Sequence, residues 1–243
     1  MVDNNNERID LSGYENFEQY LISKWLKPND IVLELGGRFG VVSCSINLLL
    51  DNEFKCQHVV VEPDLSVTST LEHNKKISNS KFTIETSVIN NNEVFFYSSN
   101  KSSGLGNFVG VYIEENEENE ENEKNEKNEK DSKTQKFQKQ KICNITHEDF
   151  FNKYKQKFNV MIVDCEGCLC DFFKQNEKIL ETIEMIIFER DNEDICNYEY
   201  IYKKLKNNRF KLVDKLGKKI YNNFYKGDNS FIVDDFQQVW IKK

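Results

Sequence analysis

The chain has 243 residues, 38% of them hydrophobic and 30% charged, with a formal charge of −8. That length suits one domain with an appendage and is enough to fold without covalent staples. The negative balance argues against a general nucleic-acid or anionic-membrane binder, and no run approaches the roughly 20 apolar residues of a bilayer crossing.

The opening Met1-Val2-Asp3 lacks the basic and apolar regions of a secretory signal. Seven scattered cysteines do not read as a disulfide framework. The expected setting is therefore reducing, intracellular and cytoplasmic.

Residues 1–26 read as an N-terminal helical segment. Ser12 to Glu15 has the form of a capping box, opening a helix through about Trp25 with Phe17, Tyr20, Leu21 and Trp25 on one face. The main domain is expected over 27–243. Ile31–Leu35 and His58–Glu62 are apolar runs of the kind buried on both faces of a parallel sheet, each followed by a helix, at 40–50 and 65–77. Phe82–Ile89 reads as a third strand and Val94–Tyr97 as an extra one.

An acidic low-complexity insert interrupts the domain at 114–141. Nine Glu and three Lys over 114–130 carry most of the net charge, and no apolar residue falls between Ile113 and Phe137. Such a segment cannot offset the entropy of ordering and is expected to be a disordered surface insert. A basic protein is the partner its charge suits.

Beyond it, Thr146–Asp149 caps a helix, Asn159–Asp164 is a fourth buried strand and 169–180 a helix. Ile183–Glu189 is a fifth strand, Asp194–Asn207 a helix, and Phe210–Val213, Lys219–Asn222 and Phe231–Val233 are short closing strands. This alternation predicts a doubly wound, mostly parallel α/β sheet of the seven-stranded type with helices on both faces. Ligands of such sheets sit beyond the carboxyl ends of the strands.

Three strand ends carry the residues of interest. Glu34-Leu35-Gly36-Gly37-Arg38-Phe39-Gly40 is a glycine-rich turn before a helix, where backbone can approach a ligand and free N–H groups face it. A side chain at Gly36 is expected to block that ligand and leave the fold intact. Glu62-Pro63 ends the second strand, where a carboxylate can accept both hydroxyls of a ribose. Asp164-Cys165-Glu166-Gly167 ends the fourth strand. Together they point to a nucleoside-cofactor site.

These residues resemble the FkbM-type methyltransferases of the class I S-adenosylmethionine-dependent superfamily, over about Lys27 to Gly217. The family's acidic residue and Gly-Ala-Asn-x-Gly turn is matched by Glu34 to Gly40, with Arg38 in place of the usual Asn. Its Glu-Pro is matched by Glu62-Pro63, its Leu-x-x-Asn by Leu71 to Asn74, its Asp-x-Glu-Gly by Asp164 to Gly167, and its fifth strand by Ile186 to Glu189.

The resemblance implies a Rossmann-like methyltransferase fold, S-adenosyl-L-methionine as cofactor, and O-methylation of a hydroxylated small molecule or glycan such as a sugar. The cofactor-binding set is then Glu34, Gly36, Gly37, Gly40, Glu62 and Ser87. Asp164 and Glu166 are the candidates to accept or orient the acceptor's proton.

The scheme demands no metal. Cys165-x-x-Cys168-x-Cys170 lacks the paired ligands of a zinc site, and its thiols read as packing residues. His58, His73 and His147 read as surface or cap-adjacent side chains. Two other readings remain: a dinucleotide-dependent oxidoreductase, disfavoured by the Gly36-Gly37-x-x-Gly40 spacing, and a non-catalytic binding module on the same fold.

Overall fold

The computed structural model describes residues 1–11, 13–99, 108–111, 137–221 and 230–243. A seven-stranded sheet forms its centre. Strands β1 (Val32–Leu35), β2 (His58–Val61), β3 (Thr83–Glu85), β9 (Val160–Val163) and β10 (Met185–Glu189) run parallel. A hairpin of β11 (Phe210–Tyr221) and β12 (Ser230–Lys242) closes the sheet, with β12 antiparallel to β10. The spatial order is β11-β12-β10-β9-β1-β2-β3. Chain progression reverses between β1 and β9, the switch point at which doubly wound sheets open a crevice.

Each parallel strand divides its side chains between two cores, as the two-residue period requires. Leu33, Leu35, Val59, Val61, Met161, Val163, Ile186 and Phe188 point to one face. There they meet Phe150 and Tyr154 of α4 (His147–Tyr154), Leu169 and Phe173 of α5 (Leu169–Gln175), and Ile201 and Leu205 of α6 (Tyr198–Asn207). Val32, Val160, Ile162, Met185, Ile187 and Val239 point to the other. They meet Leu21 and Ile22 of α1 (Asn16–Trp25) and Val42 and Ile46 of α2 (Val41–Leu49). Val60 and Phe82 pack with Leu71 of α3 (Leu65–Ile77) on that same side. The predicted doubly wound architecture is the one observed.

Several elements differ from expectation. Helix α1 begins at Asn16, behind a left-handed Glu15 that makes no side-chain cap. Its buried stripe is Glu18, Leu21 and Ile22, while Phe17 and Tyr20 are exposed. The stripe therefore starts one residue later than the aromatic spacing suggests. The predicted third strand splits at Thr86-Ser87: β3 stays in the main sheet, and β4 (Val88–Ile89) pairs with β8 (Asn144–Ile145).

Val94 begins a longer strand, β5 (Val94–Ser99), flanked by β6 (Phe108–Val111) and β7 (Phe137–Lys141) in a separate antiparallel sheet. The last five residues assigned to the acidic insert are thus strand, and 112–136 lie outside the described residues. The three short closing strands are two long ones, with shifts of register after Leu212 and Leu216. Helix α6 starts at Tyr198, later than Asp194, because Asn197 caps it through Glu199 N–H.

Cys165, Cys168 and Cys170, read as packing thiols, are instead in disulfides, Cys165–Cys168 and Cys170–Cys196, with Cα separations of 5.4 and 5.2 Å. The three-dimensional approach of α5 to the segment before α6 joins the second pair, a proximity that linear spacing does not show. His58 is also corrected: it is buried and pairs through Nε2 with Glu34 at 2.7 Å. Among the described residues, no helix is long and apolar enough to cross a membrane.

Candidate active site

A cleft of about 330 Å³ opens at the carboxyl ends of β1, β2, β9 and β10. Its walls are built by the turns that leave those strands. The first is Gly36–Phe39. Gly36 N–H donates to Val61 O at 2.9 Å, and Asp164 N–H donates to Leu35 O at 3.0 Å, so the turn is clasped from both neighbouring strands. At Gly36, φ is +95°, and a Cβ there would lie 1.7 Å from the Asp164 carbonyl oxygen. Glycine is required at this point because one strand-end backbone crosses another, whatever the cleft holds.

The turn's other glycines also serve packing. A Cβ on Gly37 would meet Val60, and one on Gly40 would meet Leu71. Gly37 lines the cleft; Gly40 does not. Asn74 then holds the turn from behind, donating to Phe39 O at 2.8 Å and exchanging two bonds with the backbone of Val2. The Leu71-to-Asn74 pattern thus supports the turn and pins the N-terminal arm.

Glu62 is the hinge of the site. One carboxylate oxygen accepts from Gly37 N–H at 3.1 Å and Arg38 N–H at 2.6 Å, and the other from Asp64 N–H at 2.8 Å. Burial pushes its pKa up, and these three donors work against that rise. Its first structural task is to brace the glycine turn. Arg38 also lines the cleft, with its guanidinium 5.0 Å from the centre of the Phe39 ring.

Besides Gly40, two expected cofactor residues lie elsewhere. Glu34 is buried within the sheet face under α2, accepting from Ser43 Oγ at 2.9 Å and pairing with His58. Strand alternation explains it, because Leu33 and Leu35 face the other core. Ser87 is not among the lining residues; its N–H donates to Glu85 at 3.0 Å. Val88, Ile89 and Asn90 take that rim instead.

Asp164 and Glu166 both line the cleft. Asp164 does not cap α5, whose N-cap is Cys168. Burial holds its carboxyl well above the usual carboxylate range, reinforced by the negative charges of Glu189, Glu18, Glu15 and Asp191. Glu166 takes the left-handed conformation, φ 54°, and accepts a short bond from Asn192 Nδ2. Asp164 immediately precedes the Cys165–Cys168 disulfide and Glu166 lies within its loop; both cysteines also line the wall.

Sequence reasoning missed the contribution of the N-terminal segment. Asn4, Tyr14, Glu15 and Glu18 all line the cleft. Burial raises the Tyr14 hydroxyl above its ordinary range. Glu18 is raised well above its own, by burial first and then by Glu34, Glu15 and Glu189. The available signal was Glu15-x-x-Glu18, acids one turn apart at the head of a helix whose buried stripe is otherwise apolar. Asn90 and Asp171, bonded to each other at 2.8 Å, form a further polar edge.

No family model matches the chain, and no curated protein matches it. Solved structures do. A protein from Pyrococcus horikoshii proposed to be an RNA methyltransferase is 14% identical, covering 98% of this chain and 87% of its own, with a TM-score of 0.48. A precorrin-6y C5,15-methyltransferase from Geobacter metallireducens is 9% identical, covering 97% and 93%, at 0.47. An O-methyltransferase from Bacillus cereus, in complex with SAH, is 13% identical, covering 97% and 83%, at 0.46.

Proposed function

We propose that the chain is an S-adenosylmethionine-dependent methyltransferase acting on a hydroxyl of a small-molecule or glycan acceptor. The observation that carries this reading is the convergence of Gly36–Phe39, Glu62 and Asp164 on one cleft at the switch point of the sheet. Its volume falls within the range of small-molecule sites.

The residues fit the cofactor part by part. Val61, Pro63, Val67, Val88 and Ile89 supply an apolar wall for a flat heterocycle. A carboxylate has about four acceptor positions; three of those on Glu62 hold backbone N–H groups. One ribose hydroxyl, rather than the expected two, is what it can accept. Arg38 suits the carboxylate of the methionine portion, and the acidic floor suits a sulfonium and an ammonium.

When bound, this cofactor supplies a methyl already activated for displacement. The protein's task is then to align the nucleophile and to receive its proton. Asp164, at the end of β9 in the cleft, is the candidate to take that proton at or after transfer. Glu166, braced by Asn192, orients the acceptor.

Transfer of labelled methyl to a panel of hydroxylated acceptors tests the reading. Asp164→Asn is expected to lower turnover by ~10²–10⁴ and to keep cofactor affinity within a few-fold. Undiminished turnover in that variant would remove Asp164 from the chemistry. Label passing only to amines would refute the hydroxyl acceptor.

A further inference from the structure

The carboxylates of Glu15, Glu18, Asp164 and Glu189 line the cleft floor, and that of Asp191 lies beside them. Donor oxygens of Glu15, Glu18 and Asp164 all lie within 4.8 Å of one another, and so do those of Asp164, Glu189 and Asp191. The two triads share Asp164. They are drawn from four separate places: the turn before α1, α1 itself, the end of β9 and the end of β10. We propose that this floor is a binding site for one divalent metal cation, centred on Asp164.

Glu18 supplies the second and independent indication. It is 2% exposed, lines the cleft, and its Oε2 has no hydrogen-bond partner among the described residues. A carboxylate oxygen buried without a donor is costly, and folded proteins meet that cost with a proton, a cation or a metal. The cations nearby are engaged or distant in function. Arg190, next to Glu189, pairs with Glu193 and Asp235, both at 2.8 Å. Arg38, the cationic residue among those lining the cleft, has its guanidinium over Phe39.

The donor set selects the kind of ion. All five side chains offer oxygen, and Cys165 and Cys168 on the same wall are joined to each other, so no thiolate competes. Oxygen-only sites suit hard ions such as Mg²⁺, Mn²⁺ and Ca²⁺. Oxygens on opposite sides of one ion at 2.1–2.4 Å stand roughly 4.2–4.8 Å apart, which the spacing of each triad accommodates. The site goes beyond the methyltransferase reading and does not depend on it, since the ion needs no cofactor to bind.

The test is calorimetric titration of the chelator-stripped full chain with MgCl₂, MnCl₂ and CaCl₂, without cofactor, alongside thermal unfolding. One saturable site per chain and a raised midpoint with at least one ion are expected. Asp164→Asn and Glu18→Gln, close in shape to the originals, should each weaken binding at least tenfold. Glu18→Gln should also raise the midpoint of the ion-free chain, a readout that survives even if Asp164→Asn folds poorly. Absence of saturable uptake of all three ions would overturn the proposal. So would unchanged binding in both variants, which would move the ion elsewhere, and so would a midpoint raised by an alkylamine but by none of the metals.

Discussion

At the scale of single residues, the site is held by groups whose roles are partly structural. Gly36 was legible as a turn glycine, yet the reason for it is the Asp164 carbonyl 1.7 Å from any Cβ. Gly36→Ala is therefore expected to lose more than about 2 kcal/mol of unfolding free energy in urea, through a strained positive φ and a backbone clash. This replaces the expectation that a side chain there blocks ligand alone. Glu62→Ala, which frees three backbone N–H groups, one buried and two part-buried, should cost about 1–3 kcal/mol. The same variant should weaken S-adenosylhomocysteine binding roughly tenfold, the value of one lost hydrogen bond. An unchanged midpoint would show that the turn stands without its brace. Glu34 was misplaced because a motif position says nothing of which sheet face its side chain takes.

At the scale of elements, the parallel strands and α2 and α3 were legible because apolar runs and 3.6-residue spacing act locally. What failed was decided by distant partners. Phe17 and Tyr20 look like a helix face, but the stripe that meets β10 and α2 begins at Glu18. Ser87 looks like mid-strand, but the chain leaves β3 there to pair β4 with β8. The disulfides depend on packing of α5 against the segment before α6, which no spacing rule shows. Cys170–Cys196 closes a loop of 26 residues, and Cys196→Ser is expected to cost about 2–4 kcal/mol on the loop-entropy account. An equal denaturant midpoint in reduced and oxidised protein would show that the packing alone holds α5.

At the scale of the molecule, the predicted doubly wound sheet is the frame, and polar links staple helices to its outer strands. Glu85 on β3 accepts from Lys153 Nζ at 2.7 Å and from the Tyr154 hydroxyl at 2.9 Å, both on α4. Asp214 on β11 accepts from Lys24 Nζ at 2.7 Å and Trp25 Nε1 at 2.8 Å, both on α1. Burial pushes each carboxyl up, but these donors outweigh it and bring both below their ordinary values. Their contribution is fully present above the unfolded pKa, about 4, and is lost as pH falls through the lower folded values. The unfolding midpoint should drop below about pH 4, and less steeply in Glu85→Gln. A fall of identical slope in that variant would assign acid unfolding to other groups.

The acidic segment bears on the same scale. β6 ends at Val111 and β7 begins at Phe137, on opposite sides of β5. Val111 pairs with Val94 and Phe137 with Ser99, at opposite ends of β5. A Gly-Ser link replacing 114–136 must therefore run back along β5 as well as across two strand spacings, roughly 20 Å; with that length it is expected to leave the midpoint within a few degrees. A collapse would show that the segment contributes to the fold.

Calorimetric titration of the full chain with S-adenosylhomocysteine tests whether the cleft at the switch point takes the cofactor. One saturable site per chain is expected, weakened about tenfold in Arg38→Ala, where one charge-assisted contact to the methionine carboxylate is lost. No saturable heat with S-adenosylhomocysteine, or saturable binding of a nicotinamide dinucleotide in its place, would contradict the account.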